Sequence, residues 1–145
     1  MTWLQIEKDL KEHWDQKIIS WSCPNENRVY ITIDPADWPA LCRYLYEKLQ
    51  ARFIIASGLD TPGSGIEILY HFDFHLLPQV LSVRVFLKKP DPEIESVSGI
   101  FKAAEWIERE IQELLGVRFK NHPNPTHLLL PEDWPKGNFP LRRDQ

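Results

Sequence analysis

The last forty residues, 106–145, constrain this chain most, because their second half forbids regular structure yet is too apolar to be left in water. Five of the twelve prolines fall there, at Pro123, Pro125, Pro131, Pro135 and Pro140. Each removes a backbone donor and fixes φ, so the stretch can form neither a helix nor a central strand. It also carries Phe119, Leu128, Leu129, Leu130, Trp134, Phe139 and Leu141, a composition unlike that of a solvated linker. So long a non-repetitive stretch is uncommon in a compact domain. The sequence therefore predicts an extended arm lying either on its own domain or on a neighbouring subunit.

A helix leads into the arm. The spacing predicts it over roughly residues 97–115, with Gly116 as its stop. Ile100, Ala103, Ala104, Ile107, Ile111, Leu114 and Leu115 gather on one face at 100° per residue. Glu108 and Glu110 fall on the borders of that stripe, placed to accept backbone N–H groups from an arm beside it. Trp106 points away from the stripe, on the side of Lys102, Arg109 and Glu113. Two covers for it stay open, the arm itself or a partner, since Trp and Arg are enriched at interface hot spots.

The preceding chain alternates between helical and strand patterns. Trp3, Ile6, Leu10 and Trp14 form one helical stripe. Residues 17–23 and 28–33 are apolar and β-branched, with turn chemistry at 24–27, so a hairpin is expected. Asp34 and Pro35 start a second helix whose stripe is Trp38, Leu41, Cys42, Leu45 and Leu49. Residues 53–56 read as a short strand, and 59–65 as a Gly- and Pro-containing loop. Ile66, Ile68, Tyr70, Phe72 and Phe74 alternate with polar positions, as do Leu81, Val83, Val85 and Leu87. These predict two half-buried antiparallel strands. Setting Phe74 opposite Val83 places Asp73 opposite Arg84.

Few chemical constellations stand out. His71, Asp73 and His75 share one strand face at a spacing that could bind a metal, although a solvated outer face is the simpler reading. His122 fits a role in the turn before Pro123. Arg142 and Arg143 give the arm a basic end suited to carboxylates. Residues 59–65 lack the lysine and following helix of a phosphate-binding loop.

Bulk properties exclude several classes. A net charge of −4 argues against a general nucleic-acid binder. No run of eighteen apolar residues is present, and Lys8, Asp9, Lys11 and Glu12 interrupt the N-terminus, so neither a membrane span nor a signal peptide is expected. Cys23 and Cys42 have no CxxC spacing and are expected as buried free thiols, too few for an iron–sulfur cluster.

The blocks EREIQELLGVRF, His122-Pro123, LLLPEDWP and PLRRD, in that order, resemble the C-terminal signature of the 30-kilodalton subunit family of respiratory complex I. That family has relatives in membrane-bound, energy-converting nickel–iron hydrogenases. The resemblance runs from about Ile31 onward. Where the complex I branch usually has Leu-Arg-Arg after His-Pro, and a Phe at the position of Leu115, this chain has Asn124-Pro125-Thr126-His127 and Leu115; the first is more similar to the hydrogenase branch.

The fold expected is an α+β domain over residues 1–116, with a mainly antiparallel sheet, two amphipathic helices on one face and an N-terminal helix. Residues 117–145 then form the extended, Pro-rich docking arm. The resemblance implies a cofactor-free, cytoplasmic subunit, peripheral to the membrane, in the hydrophilic arm of an electron-transfer complex. Its partners would be the large subunit holding the quinone or nickel–iron site and the small iron–sulfur subunit. The residues expected to meet partners are Trp106, Glu108, Arg109, Glu110, His122, Pro123, Leu129, Pro131, Asp133, Trp134, Pro140, Leu141, Arg142 and Arg143. The alternative is a stand-alone peptide-binding or metal-dependent module using the face at His71, Asp73 and His75.

Overall fold

The computed structural model describes residues 1–144. Helix α1 (Trp3–Trp14) opens with a capping box, in which the Gln5 amide donates to the Thr2 hydroxyl and the Thr2 amide to the Gln5 side chain. Strands β1 (Ile18–Asn25) and β2 (Arg28–Ile33) form the expected hairpin. Helix α2 (Trp38–Glu47) starts later than Pro35, because Asp34 accepts the Ala36 amide at 2.8 Å and holds a turn there first. Strands β3 (Arg52–Thr61), β4 (Gly65–Asp73) and β5 (Val80–Leu87) follow as a meander. A short strand β6 (Glu93–Glu95), helix α3 (Ala104–Leu115) and strand β7 (Arg118–Lys120) complete the regular elements.

The sheet order is β1-β2-β5-β4-β3. The fold is α+β, but the sheet is mixed, not mainly antiparallel: β2 pairs with β5 in parallel, Ile31 opposite Val83. After β2, α2 crosses over and the meander returns β5 to the side of β2, running the same way. Alternation buries the same faces in either direction, so the pattern could not reveal this. A second small sheet pairs β6 with β7 in parallel, Ile94 opposite Phe119.

All three helices cover one face of the sheet. Tyr70 and Phe72 of β4, and Phe74 just beyond its end, share that face. The Trp38 ring of α2 lies 4.4 Å from Tyr70 and 6.0 Å from Phe72, while Trp3 of α1 meets Phe74 at 5.9 Å. Phe101, in the turn before α3, packs on Phe72 at 5.5 Å. Burying each such side chain stabilises the fold by about 1.5–3 kcal/mol. The predicted alternation is therefore correct, but the predicted register is not. Phe72 faces Leu81, four residues from the expected Val85, and Asp73 faces Val80. An even slip keeps every aromatic inward, so only the loop decides. Leu77 donates to the Phe74 carbonyl at 3.0 Å and Leu76 takes a positive φ, which closes the connection early. Asp73 consequently pairs with Arg52, and Arg84 with Glu67 at 2.7 Å.

Three further expectations change. The short strand expected over 53–56 and the loop over 59–65 give way to a longer β3 that runs to Thr61, leaving only 62–64 as the turn into β4. Cys42 is buried, but Cys23 is exposed on β1, an edge strand, where Trp21 Nε1 donates to its sulfur. Helix α3 begins at Ala104, not Val97, because Glu108 draws the preceding chain into a turn. Its Oε1 accepts from the Ser96 hydroxyl at 3.0 Å and the Val97 amide at 3.1 Å.

Glu108 is 0% exposed, and its Oε2 meets no hydrogen-bond partner among the described residues. Burial raises its pKa to about 7, although the Ser96 hydroxyl and the Val97 and Ser98 amides favour the charged form. The folded protein thus binds a proton here more tightly than the unfolded chain. Its stabilising effect is full below the ordinary value of 4.5 and fades as pH rises through 7. We expect Glu108→Gln to remove a loss on the order of 2 kcal/mol between pH 5 and pH 8. Urea denaturation of both proteins at the two pH values checks this; parallel losses would contradict it.

Candidate functional site

The residues after β7 do not form the extended arm expected. They make a run of turns folded back along α3, with Trp134 N–H donating to the Pro131 carbonyl and Asn138 N–H to the Pro135 carbonyl. Of the two surfaces left open by the sequence, the arm occupies its own domain.

One carboxylate organises the contact. Glu113, in the last turn of α3, is 5% exposed. Its Oε1 accepts from the Leu129 amide at 2.7 Å, and its Oε2 from the Leu128 amide at 3.0 Å and the Leu130 amide at 3.3 Å. His127 Nδ1 also donates to Oε2 at 3.1 Å. Burial alone would raise the Glu113 pKa, but the Leu129 and Leu128 amides, His127 and the Leu130 amide together hold it below the ordinary range.

One helical turn earlier, Arg109 grips the same segment with the opposite charge. Its guanidinium donates to the Thr126 carbonyl and hydroxyl, both at 3.0 Å, and to the His127 carbonyl at 2.7 Å. Gln112 donates to the Pro125 carbonyl. His122 is buried and bridges the turn to the helix. The Asn124 amide donates to its Nδ1 at 3.0 Å, so the ring proton sits on Nε2, which donates to the Glu105 carbonyl at 2.9 Å.

The far end of the arm caps α3. A helix leaves its last carbonyls without partners. Leu141 N–H donates to the Leu114 carbonyl at 2.9 Å, and the Arg142 guanidinium to the Leu115 carbonyl at 3.0 Å. Arg142 also pairs with Asp144. The Arg143 amide donates to buried Asp60, which Lys89 neutralises at 2.5 Å. Arg142 is thus engaged internally, while the Arg143 side chain stays exposed. Gly116 takes φ 73° and leaves room for the Phe139 ring, which a Cβ would meet at 2.5 Å.

The arm does not cover Trp106, which is 66% exposed, nor hide Leu129, which is 62% exposed. Pro123, Pro131, Asp133, Pro140 and Leu141 are exposed as well, and Trp134 is half-buried, its indole N–H donating to the Asn138 carbonyl at 2.7 Å. Of the two carboxylates expected to hold the arm, neither does. Glu108 turns to Ser96 and Val97, and Glu110 is half-buried without an ion pair or hydrogen bond among the described residues. Glu113 takes that role, because the arm lies over the polar side of α3. A signal for it existed: an acid in the last turn opposes the helix dipole and needs donors from elsewhere.

The other constellation does not converge. His71 Nδ1 hydrogen-bonds the Ser82 hydroxyl at 2.7 Å, and burial lowers its pKa; Asp73 is taken by Arg52, and His75 is exposed beyond the end of β4. Among the described residues, no group of three or more His, Cys, Asp or Glu is placed to hold a metal ion. Likewise among them, no helix is long and apolar enough to cross a membrane.

Gly116→Ala should destabilise the protein by roughly 2–4 kcal/mol, combining left-handed strain with the clash against Phe139. Gly63→Ala is the control: its φ is 77° and nothing lies within 4 Å, so only the strain remains. Denaturant unfolding of both variants checks this, and equal losses would show that Phe139 is not seated on Gly116.

Residues 31–145 match the family described as respiratory-chain NADH dehydrogenase, 30 Kd subunit. A component of the F(420)H(2) dehydrogenase of Methanosarcina mazei is 40% identical over 123 residues, covering 83% of this chain and 76% of that one. A component of the NADH-quinone oxidoreductase of Chloroherpeton thalassium is 34% identical over 120 residues, covering 79% of this chain but 49% of the relative. The fold is similar to a chain in the membrane-bound sulfane sulfur reductase, an archaeal respiratory membrane complex. The TM-score is 0.82 at 22% identity, over 97% of this chain and 84% of that one. With its helix–arm signature matched from residue 31 to the end, the chain belongs to the 30-kilodalton subunit family of respiratory-chain NADH dehydrogenase.

Proposed function

We propose that this chain is a docking subunit in the hydrophilic arm of a complex I-type or related membrane-attached electron-transfer complex. It holds the large subunit, of quinone-site or nickel–iron type, against the small iron–sulfur subunit. It works on the cytoplasmic side and touches the membrane only through the complex. Its part is alignment of redox partners, with no bond-making step and no cofactor of its own. Two cysteines, one buried and one exposed, support the last point, since an iron–sulfur cluster is typically held by four. Near-stoichiometric iron, nickel or zinc in the purified chain would overturn it.

The observation that carries this reading is a pair of large apolar side chains standing in water. Trp106 stands out from α3, and Leu129 stands out from a backbone that Glu113 fixes on both sides. An arm ordered in advance loses little further entropy on binding, which favours its use as an interface. The ordered arm would also suit a peptide-binding module with its groove filled in cis, but family membership favours the docking role.

Trp106→Ala and Leu129→Asp should each leave unfolding stability within about 0.5 kcal/mol, because neither side chain is in the core. Together they should reduce co-purification with the membrane complex at least about tenfold, as loss of an interface anchor does. Affinity purification from a strain expressing the tagged variant checks this. Normal recovery of the complex with the double variant would remove this surface from the interface.

A further inference from the structure

Strand β3 lies at the edge of the five-stranded sheet, so alternate N–H and C=O groups along it point away from β4. Natural sheets usually shield such an edge with charge or proline. Here residues 53–56 are Phe-Ile-Ile-Ala, and Ile54 and Ile55 are both exposed. The pairing with β4 shifts register between Phe53 and Ile55, which turns two consecutive apolar side chains outward. The inner face of β3 is covered, by Phe101 against Phe53 and by Leu115 and Ile111 of α3 against Gly58, so what its first half leaves open is the outward Ile54 and Ile55 and the strand edge.

Beside this edge is a notch of about 260 Å³, walled by Phe53, Ile54, Ile55, Trp106, Glu110 and Leu128. It is apolar except for Glu110, which is half-buried and has no ion pair or hydrogen bond among the described residues. Its nearest cation in sequence, Arg109, is spent on the Thr126 and His127 carbonyls. The notch therefore offers an apolar socket, an unpaired anion at its wall and an open row of backbone groups.

We propose that an extended segment of a partner subunit adds as a further strand to the free edge of β3. It inserts a bulky apolar side chain into the notch and sets an adjacent arginine or lysine against Glu110. The main-chain bonds supply length and register, the socket supplies the anchor, and the carboxylate selects the charge. An arginine fits best, since its stem can lie on the exposed Trp106 ring while its guanidinium reaches the carboxylate. This inference rests on the docking reading above.

Hydrogen–deuterium exchange of the full chain, free and within its purified complex, tests it. Amides in residues 53–57 should exchange at least about tenfold more slowly in the complex, while those of β1, the opposite edge, should not change. Ile54→Asp and Glu110→Arg should each lower recovery of the complex, and Glu110→Gln should lower it less than Glu110→Arg. If the complex assembles but protection falls only on the arm or on β1, strand addition at β3 is wrong and the docking reading stands. If the chain co-purifies with no membrane complex, the docking reading itself is wrong. If Glu110→Arg assembles normally while residues 53–57 are protected, the proposed basic partner residue is wrong.

Discussion

The site depends on one buried carboxylate that accepts three consecutive backbone amides. Glu113 stands in the last turn of α3, where the helix dipole disfavours an anion by about 0.3–1 kcal/mol. Against this are hydrogen bonds to a charged acceptor, each contributing about 1.5–3 kcal/mol. The arm wins that balance for the carboxylate, and the carboxylate in turn fixes the arm. Removing either partner leaves buried polar groups unsatisfied, so the two stand or fall together. Because the folded pKa of Glu113 is depressed, its stabilising effect is present above the ordinary value of 4.5 and is lost as pH falls through the folded one.

The same logic explains why a proline-rich segment can be ordered without being a strand or helix. Its prolines supply no donors, so fewer backbone groups need partners. Some of the donors that remain close turns within the arm, and others find specific acceptors on α3: Glu113 for Leu128, Leu129 and Leu130, and the Leu114 carbonyl for Leu141. Arg142 takes the Leu115 carbonyl, so the arm finishes the helix that holds it. Arg109 and Glu113 grip neighbouring stretches with opposite charges, which pins carbonyl groups with the one and amide groups with the other. A segment held this way sets the backbone of exposed Leu129, near exposed Trp106 on α3, which would suit the interface proposed above.

Much of the framework was legible from period and punctuation. Tyr70, Phe72 and Phe74 faced inward as alternation required, and Gly116 ended α3 in the left-handed conformation. What failed was information that period cannot carry. Parallel pairing of β2 with β5, and an even shift between β4 and β5, both leave the buried faces unchanged. The helical wheel put Glu113 on the side away from the apolar stripe, and the arm buries it there with donors of its own. Conversely, Glu108 on the stripe border reached backwards to Ser96 and Val97, which converted the predicted first turns of α3 into a loop. Charged residues are placed by their partners, and the partners here are backbone groups that no side-chain pattern records.

The claim that Glu113 holds the arm to α3 can be tested at the three amides themselves. In an NMR pH titration of the intact chain, the amide protons of Leu128, Leu129 and Leu130 should shift together as one carboxyl group titrates. Their shared midpoint should lie below the ordinary value of 4.5. If the three amides do not respond together, or follow a midpoint at or above that value, the carboxylate does not organise the arm and the account of the docking platform is wrong.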